Sequence, residues 1–257
     1  MAARSATLCI LRSRAYWDEA SLRRAVRLDP RFALAHMHLG HLLSQMGRHS
    51  EASQSMRRGR ELDPLYAMMH ALSSQVVFQA RDYSAALEHA QQAIILDPEF
   101  WIGHMVRGQA YEQLADDDRA LQALMIAGRF SDHNSKAISL RGYLLAKLGR
   151  TNEAREVLST LEAVSRTKYV PPYAMALINA GLGQGNVAFD WLDKAYAARD
   201  VHLIFLPVDP KWDPYRADPR FEAFLARCGF IRTAKAGSAK SEQQSDDRRT
   251  GLSRQPG

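Results

Sequence analysis

Along most of the chain the apolar positions return every three to four residues, the spacing of a helix with one buried face. Interruptions to that pattern are themselves regular. Leu-Asp-Pro occurs at 28–30, 62–64 and 96–98, a spacing of 34 residues both times. The same shift aligns Ala52, Ala86, Ala120, Ala154 and Ala188, and also Gly40, Gly108 and Gly142, with Ser74 and Ala176 in the glycine slot of the other units. Each unit therefore predicts two helices. Small residues at these two slots let the helices approach closely, and Gly47, Gly149 and Gly183 stand where the first helix must stop and the chain reverse. Asp-Pro ends a unit, because proline lacks a donor and discourages helix in the residue before it. The pattern predicts an all-α stack of antiparallel helix pairs, each touching only its neighbours.

These residues carry a resemblance to the tetratricopeptide repeat family, whose unit has 34 residues. Units begin at Ala33, Ala67, Trp101, Ser135 and Tyr169. In the third, Gly108, Tyr111, Ala120, Leu124 and Ala127 match the family pattern; in the second, Tyr83, Ala86, Ala93 and Pro98 do. Asp132 departs from it where the third unit should end in proline, and the fifth unit carries Pro171 and Pro172 in its first turn. The resemblance implies a right-handed superhelical solenoid with five repeats over 33–202. Residues 1–32 form a partial N-terminal repeat, because Ala15–Pro30 reads as a second helix with a poor first one. That abrupt start suggests the C-terminal part of a longer architecture, or a gene start placed inside one.

Residues 203–230 are expected to cap the far end. Asp218 is a candidate N-cap with Pro219 at the first helical position, and Phe221, Phe224, Leu225 and Cys228 share one face. The stretch from Tyr169 to this end is similar to the closing repeat region of bacterial signalling proteins, including winged-helix regulators, nucleotide cyclases and serine/threonine kinases. None of their effector domains is present in the sequence, so the similarity carries no activity. Residues 231–257 are rich in Ser, Gln, Lys, Arg, Asp and Gly and are expected to be disordered.

The resemblance also implies a concave groove lined by the first helix of each unit. Its positions read Leu34, Met37, His41 and Gln45; then Met68, Gln75, Phe78 and Gln79; then Met105, Gln109 and Gln113; then Tyr143 and Lys147. Gln45, Gln79 and Gln113 recur at 34 with Lys147 continuing the line, and an amide row can hydrogen-bond the backbone of an extended peptide. Leu34, Met37, Met68 and Met105 offer soft apolar pockets. The competing reading is a solvated face of helix-favouring residues. The groove lacks the Lys and Asn constellation by which some family members clamp a C-terminal carboxylate.

Charge is uneven. Residues 1–60 hold eleven arginines against Asp18, Glu19, Asp29 and Glu51, so the remainder of this +6 chain is about neutral. Arg23, Arg24, Arg27, Arg57, Arg58 and Arg60 read as the solvated face of two helices, or as a basic patch for nucleic acid or an acidic effector domain. No run of 18 apolar residues predicts membrane insertion, and Cys9 and Cys228 form neither a disulfide framework nor a redox pair, which suits the cytoplasm.

His36, His38 and His41 in HMHLGH suggest a metal at first sight. Helix geometry opposes it, because at about 100° per residue only His38 and His41 share a face. His36, His70 and His104 recur at 34, too far apart for ligands of one zinc ion. No Gly-rich phosphate loop, G-x-S-x-G or H-E-x-x-H occurs. The expected function is a non-enzymatic interaction scaffold without metal or cofactor, binding a protein or peptide. The alternative is a regulatory module acting through its arginines, with nucleic acid the less favoured partner; the oligomeric state is left open.

Overall fold

The computed structural model describes residues 18–230, which contain helices and no strands. A first helix, α1 (Glu19–Leu28), is followed by five antiparallel pairs: α2 (Ala33–Gln45) with α3 (His49–Leu62), α4 (Ala67–Gln79) with α5 (Tyr83–Leu96), α6 (Trp101–Gln113) with α7 (Asp117–Phe130), α8 (Ser135–Lys147) with α9 (Thr151–Ser165), and α10 (Pro172–Gly181) with α11 (Gly185–Ala197). The first helices α2, α4, α6, α8 and α10 stack on one another in order. Two short 3₁₀ segments, Val201–Phe205 and Pro210–Tyr215, lead to a last helix, α12 (Pro219–Arg227). This is the all-α solenoid that the periodicity predicts. The expectations for 1–17 and for the tail 231–257 lie outside the described residues.

One hydrogen-bonding device closes all five pairs. The N–H of Arg48, Asp82, Asp116, Arg150 and Gln184 reaches back to the carbonyl of Leu43, Val77, Tyr111, Leu145 and Asn179, and the preceding residue adopts positive φ. This Schellman closure satisfies the last carbonyls of the first helix. Glycine fills the left-handed slot at 47, 149 and 183, but Arg81 (φ 70°) and Ala115 (φ 58°) fill it in the second and third pairs.

The small-residue slots do what their size allows. A Cβ on Gly40 would lie 2.9 Å from both the carbonyl oxygen of Ala52 and Cγ of Met56, so α2 and α3 meet there with no room for a side chain at this slot. Ser74 occupies the equivalent slot and donates its hydroxyl to the Ala86 carbonyl at 2.7 Å. The five aligned alanines are buried to 1% exposure or less. The fifth pair departs from the register, since α10 starts at Pro172, three residues later than the repeat predicts; Pro171 precedes it and Asp200 accepts from the N–H of Tyr173.

The histidine ladder also has a structural task. The Nε2 of His36, His70 and His104 donates to the carbonyls of Pro30, Pro64 and Pro98 at 3.1, 2.8 and 2.8 Å. Each ring ties a first helix to the Asp-Pro linker six residues behind it. Among the described residues no group of three His, Cys, Asp or Glu side chains is placed to hold a metal.

Candidate partner-binding groove

The stacked first helices form a concave face, and part of it is occupied by the chain itself. Beyond α11 the chain turns back, and its 3₁₀ segments lie against these helices. Lys211, 1% exposed, donates its Nζ to Gln109 at 2.8 Å and to Asp209 at 3.2 Å, and stands 5.0 Å over the Phe78 ring. Next to it Asp213 pairs with Arg81 at 2.9 Å, reaching the turn of the second pair. Trp212 is fully buried and donates to the Tyr173 hydroxyl at 2.9 Å, and the Tyr215 hydroxyl donates to the Ala180 carbonyl. Burial raises the Tyr173 phenol well above its ordinary value, so it stays neutral. Burial also disfavours the charged Asp200 carboxylate, but hydrogen bonds led by that from His202 outweigh it and lower its pKa.

Of residues 203–230, expected to cap the far end, α12 packs on α11 through Phe224 and Tyr196, and the stretch before it lies in the groove against α4, α6, α8 and α10. Each turn of the returning segment is started by an aspartate, Asp200, Asp209 and Asp218, whose side chain accepts an N–H two residues ahead.

What stays open is the N-terminal half. A cavity of about 540 Å³ is bounded by α1, α2, α4 and α6 on one side and by Val201, His202, Ile204 and Phe205 on the other. Leu34, Met37, His41, Gln45, Met68, Gln75 and Met105 all line it. Trp101, Leu72 and Phe205 join them and make the lining more apolar than the predicted residues alone. The Phe205 ring lies 6.4 Å from that of His41 and 4.7 Å from the Lys136 Nζ.

The other predicted positions are used internally. Gln79 is buried and accepts from Ser44 Oγ at 2.5 Å, and Gln109 is held by Lys211. Phe78 and Tyr143 are buried at 5% and 7% exposure. Gln113 and Lys147 both donate to Glu112, itself buried, at 3.1 and 3.0 Å. The amide row is interrupted: Gln79 is buried against Ser44, the returning segment holds the neighbouring Gln109, and Gln113 gives one N–H to Glu112. Sequence reasoning missed the 200–215 stretch. Its signal was FLPVDPKWDPY, large apolar residues outside the repeat register that needed somewhere to be buried.

The tetratricopeptide repeat sequence profile matches residues 38–206. The chain belongs to the tetratricopeptide repeat family. Among solved structures it is similar to TTC0263, a thermophilic tetratricopeptide repeat protein of Thermus thermophilus, at 20% identity and a TM-score of 0.56, covering 77% of this chain and 100% of that one. It is also similar to PilW, a type IV pilus biogenesis factor, at 15% identity and a TM-score of 0.56, covering 84% and 98%. A tetratricopeptide repeat protein from Parabacteroides merdae matches at 17% identity and 0.55, covering 84% and 86%. These likenesses show the fold. No match was found among curated protein sequences.

In this tetratricopeptide repeat protein the predicted basic patch is divided. Arg23 pairs with Glu19 and Glu51, both at 2.8 Å, and Arg48 binds the same two carboxylates at 2.7 Å. The Arg48 and Arg23 hydrogen bonds pull the Glu51 pKa down to about 2. Arg58 pairs with Glu61 at 3.0 Å, and Arg60 donates to Ser73 at 2.7 Å. Arg24, Arg27 and Arg57 complete the set on α1 and α3. No helix among the described residues is long and apolar enough to cross a membrane.

Proposed function

We propose that this protein is a non-enzymatic interaction scaffold that binds an apolar segment of a partner protein in the N-terminal half of its concave groove. The observation that carries the reading is the 540 Å³ cavity walled by Leu34, Met37, Met68, Leu72, Trp101, Ile102 and Met105, beside a half that the chain fills by itself. Cavities of this size with apolar walls and a few polar groups suit side chains of a ligand. Methionines adapt to irregular occupants. His38, His41, Gln45, Gln75 and Lys136 supply the polar rim. Bacterial origin and a cytoplasmic setting belong to the same proposal.

The test is a pull-down from the native cell followed by mass spectrometry, with wild type beside Leu34→Asp/Met68→Asp. Leu34 is 37% exposed and Met68 is half-buried, so the pair changes the wall more than the fold. Proteins retained by wild type and lost from the double variant, at unchanged helicity, support the groove. Equal retention by both sinks it. The arginine-rich end favours the regulatory alternative less, because Glu19, Glu51 and Glu61 already pair with Arg23 and Arg58, two of the six arginines expected to contact a partner.

A further inference from the structure

The junction between the third and fourth pairs differs from the one before it. At the second-to-third junction, Arg107 on α6 donates to Gln91 on α5 at 3.3 Å and to His104 at 3.1 Å, and His104 is tied to Pro98. Counting 34 residues on, Arg107 becomes Arg141, Gln91 becomes Met125, His104 becomes Ile138 and Pro98 becomes Asp132. Both side-chain partners of the arginine are replaced by apolar residues. Arg141 Nε is buried with no hydrogen-bond partner, as is Arg107 Nε in the preceding unit, so the two junctions differ in the partners of the rest of the guanidinium. The linker is altered too, with Asp132 (φ 49°) and His133 (φ 56°) both left-handed.

At this junction the outer face opens into a cleft of about 960 Å³. Its walls are α7 and α9, which run in the same direction, and its floor is α8. Met125, Val164 and Tyr169 in its lining are 58%, 37% and 71% exposed. Arg129, Arg141 and Lys168 supply three cations against Asp132, and Glu153 lies close enough for Arg141 to lower its pKa. Walls of 14 and 15 residues are about 20 Å long, the length of a helix of three to four turns.

We propose that this cleft is a second docking site, which takes an acidic amphipathic helix of a partner protein. An apolar stripe would lie on Met125, Ile138 and Val164 in the helix-in-groove manner. A carboxylate at its edge accepts from Arg141, in the place of Gln91 and His104, which accept from Arg107 in the preceding unit. The cleft shares no lining residue with the groove cavity, and its walls are the second helices α7 and α9.

The probe is a fluorescein-labelled helical peptide of about fourteen residues with leucines at i, i+3, i+4 and i+7 flanked by glutamates, titrated by anisotropy against the full chain. Binding is expected, with a tenfold or greater loss in Met125→Asp/Val164→Asp and in Arg129→Glu/Lys168→Glu. Arg141→Gln is expected to weaken the glutamate peptide and leave a glutamine version unchanged. Leu34→Asp/Met68→Asp is expected to bind as wild type. Circular dichroism confirms that each variant is folded. The proposal is overturned if the peptide does not bind, if the groove variant and not the cleft variants lose it, or if a lysine-flanked peptide binds equally. Sedimentation showing a dimer that Met125→Asp disperses would also overturn it, since a second copy would then fill the cleft.

Discussion

Ala115 and Arg81 sit in the left-handed slot that three other pairs give to glycine, and the two positions have unequal prospects. A side chain in this region costs about 1–2 kcal/mol, because Cβ crowds the carbonyl oxygen. Ala115→Gly should therefore raise stability by about 1 kcal/mol in chemical denaturation, a smaller gain than the full strain because glycine also loosens the unfolded chain. Arg81→Gly relieves the same strain but removes the ion pair to Asp213, so it should gain less than Ala115→Gly. If the two substitutions gain equally, the Arg81–Asp213 contact contributes nothing to holding the returning segment. Cys228 offers a second check. It is fully buried and burial pushes its thiol up to about 12, so in a Cys9→Ser background it should not react with a thiol reagent until the protein unfolds.

The returning segment is an element with two unlike faces. Trp212 anchors one side in the core beside Tyr173 and Phe221, stacked 5.9 Å from the latter. Lys211 faces the groove helices with a charge taken almost wholly out of water. Replacing it by methionine keeps the stem over Phe78 but strands Asp209 and Gln109. Lys211→Met should cost about 3 kcal/mol, since breaking a buried pair leaves one charge uncompensated. Adding Asp209→Asn removes that charge, so the double variant should recover part of the loss; an additive double-mutant cycle would show that the pair is not coupled. Helices α2 to α9, in contrast, draw stability from contacts that repeat along the stack.

Acid should loosen the whole molecule before its carboxylates titrate. Burial lowers the pKa of His38, His49, His89 and His104, that of His89 to about 4. An unfolded chain takes up protons at these rings that the fold refuses, so stability is complete above the ordinary value of 6.5 and declines as pH falls toward about 4. The melting temperature should drop between pH 7.5 and 5, and His89→Asn should flatten that slope. A flat wild-type profile would show that these rings titrate normally. The repeat itself was readable from residues because a solenoid is built from contacts within one unit and its neighbour, and every unit needs the same small, apolar and turn residues in the same slots. Ala52, Gly40, Gly47 and the Asp-Pro linkers announce those needs at a constant interval. Which groove residues would be free was not readable. That depended on Lys211 meeting Gln109 and on Asp213 meeting Arg81, contacts that span 102 and 132 residues and follow no period. The outer cleft is an intermediate case. Its departures, Met125, Ile138 and Asp132, stand plainly in the chain, but only the packing of three helices brings them around Arg141 in one cleft. Local periodicity can encode which helices form and how neighbours pack; how far the chain's end folds back over them is settled by apolar and charged groups that find burial only in three dimensions.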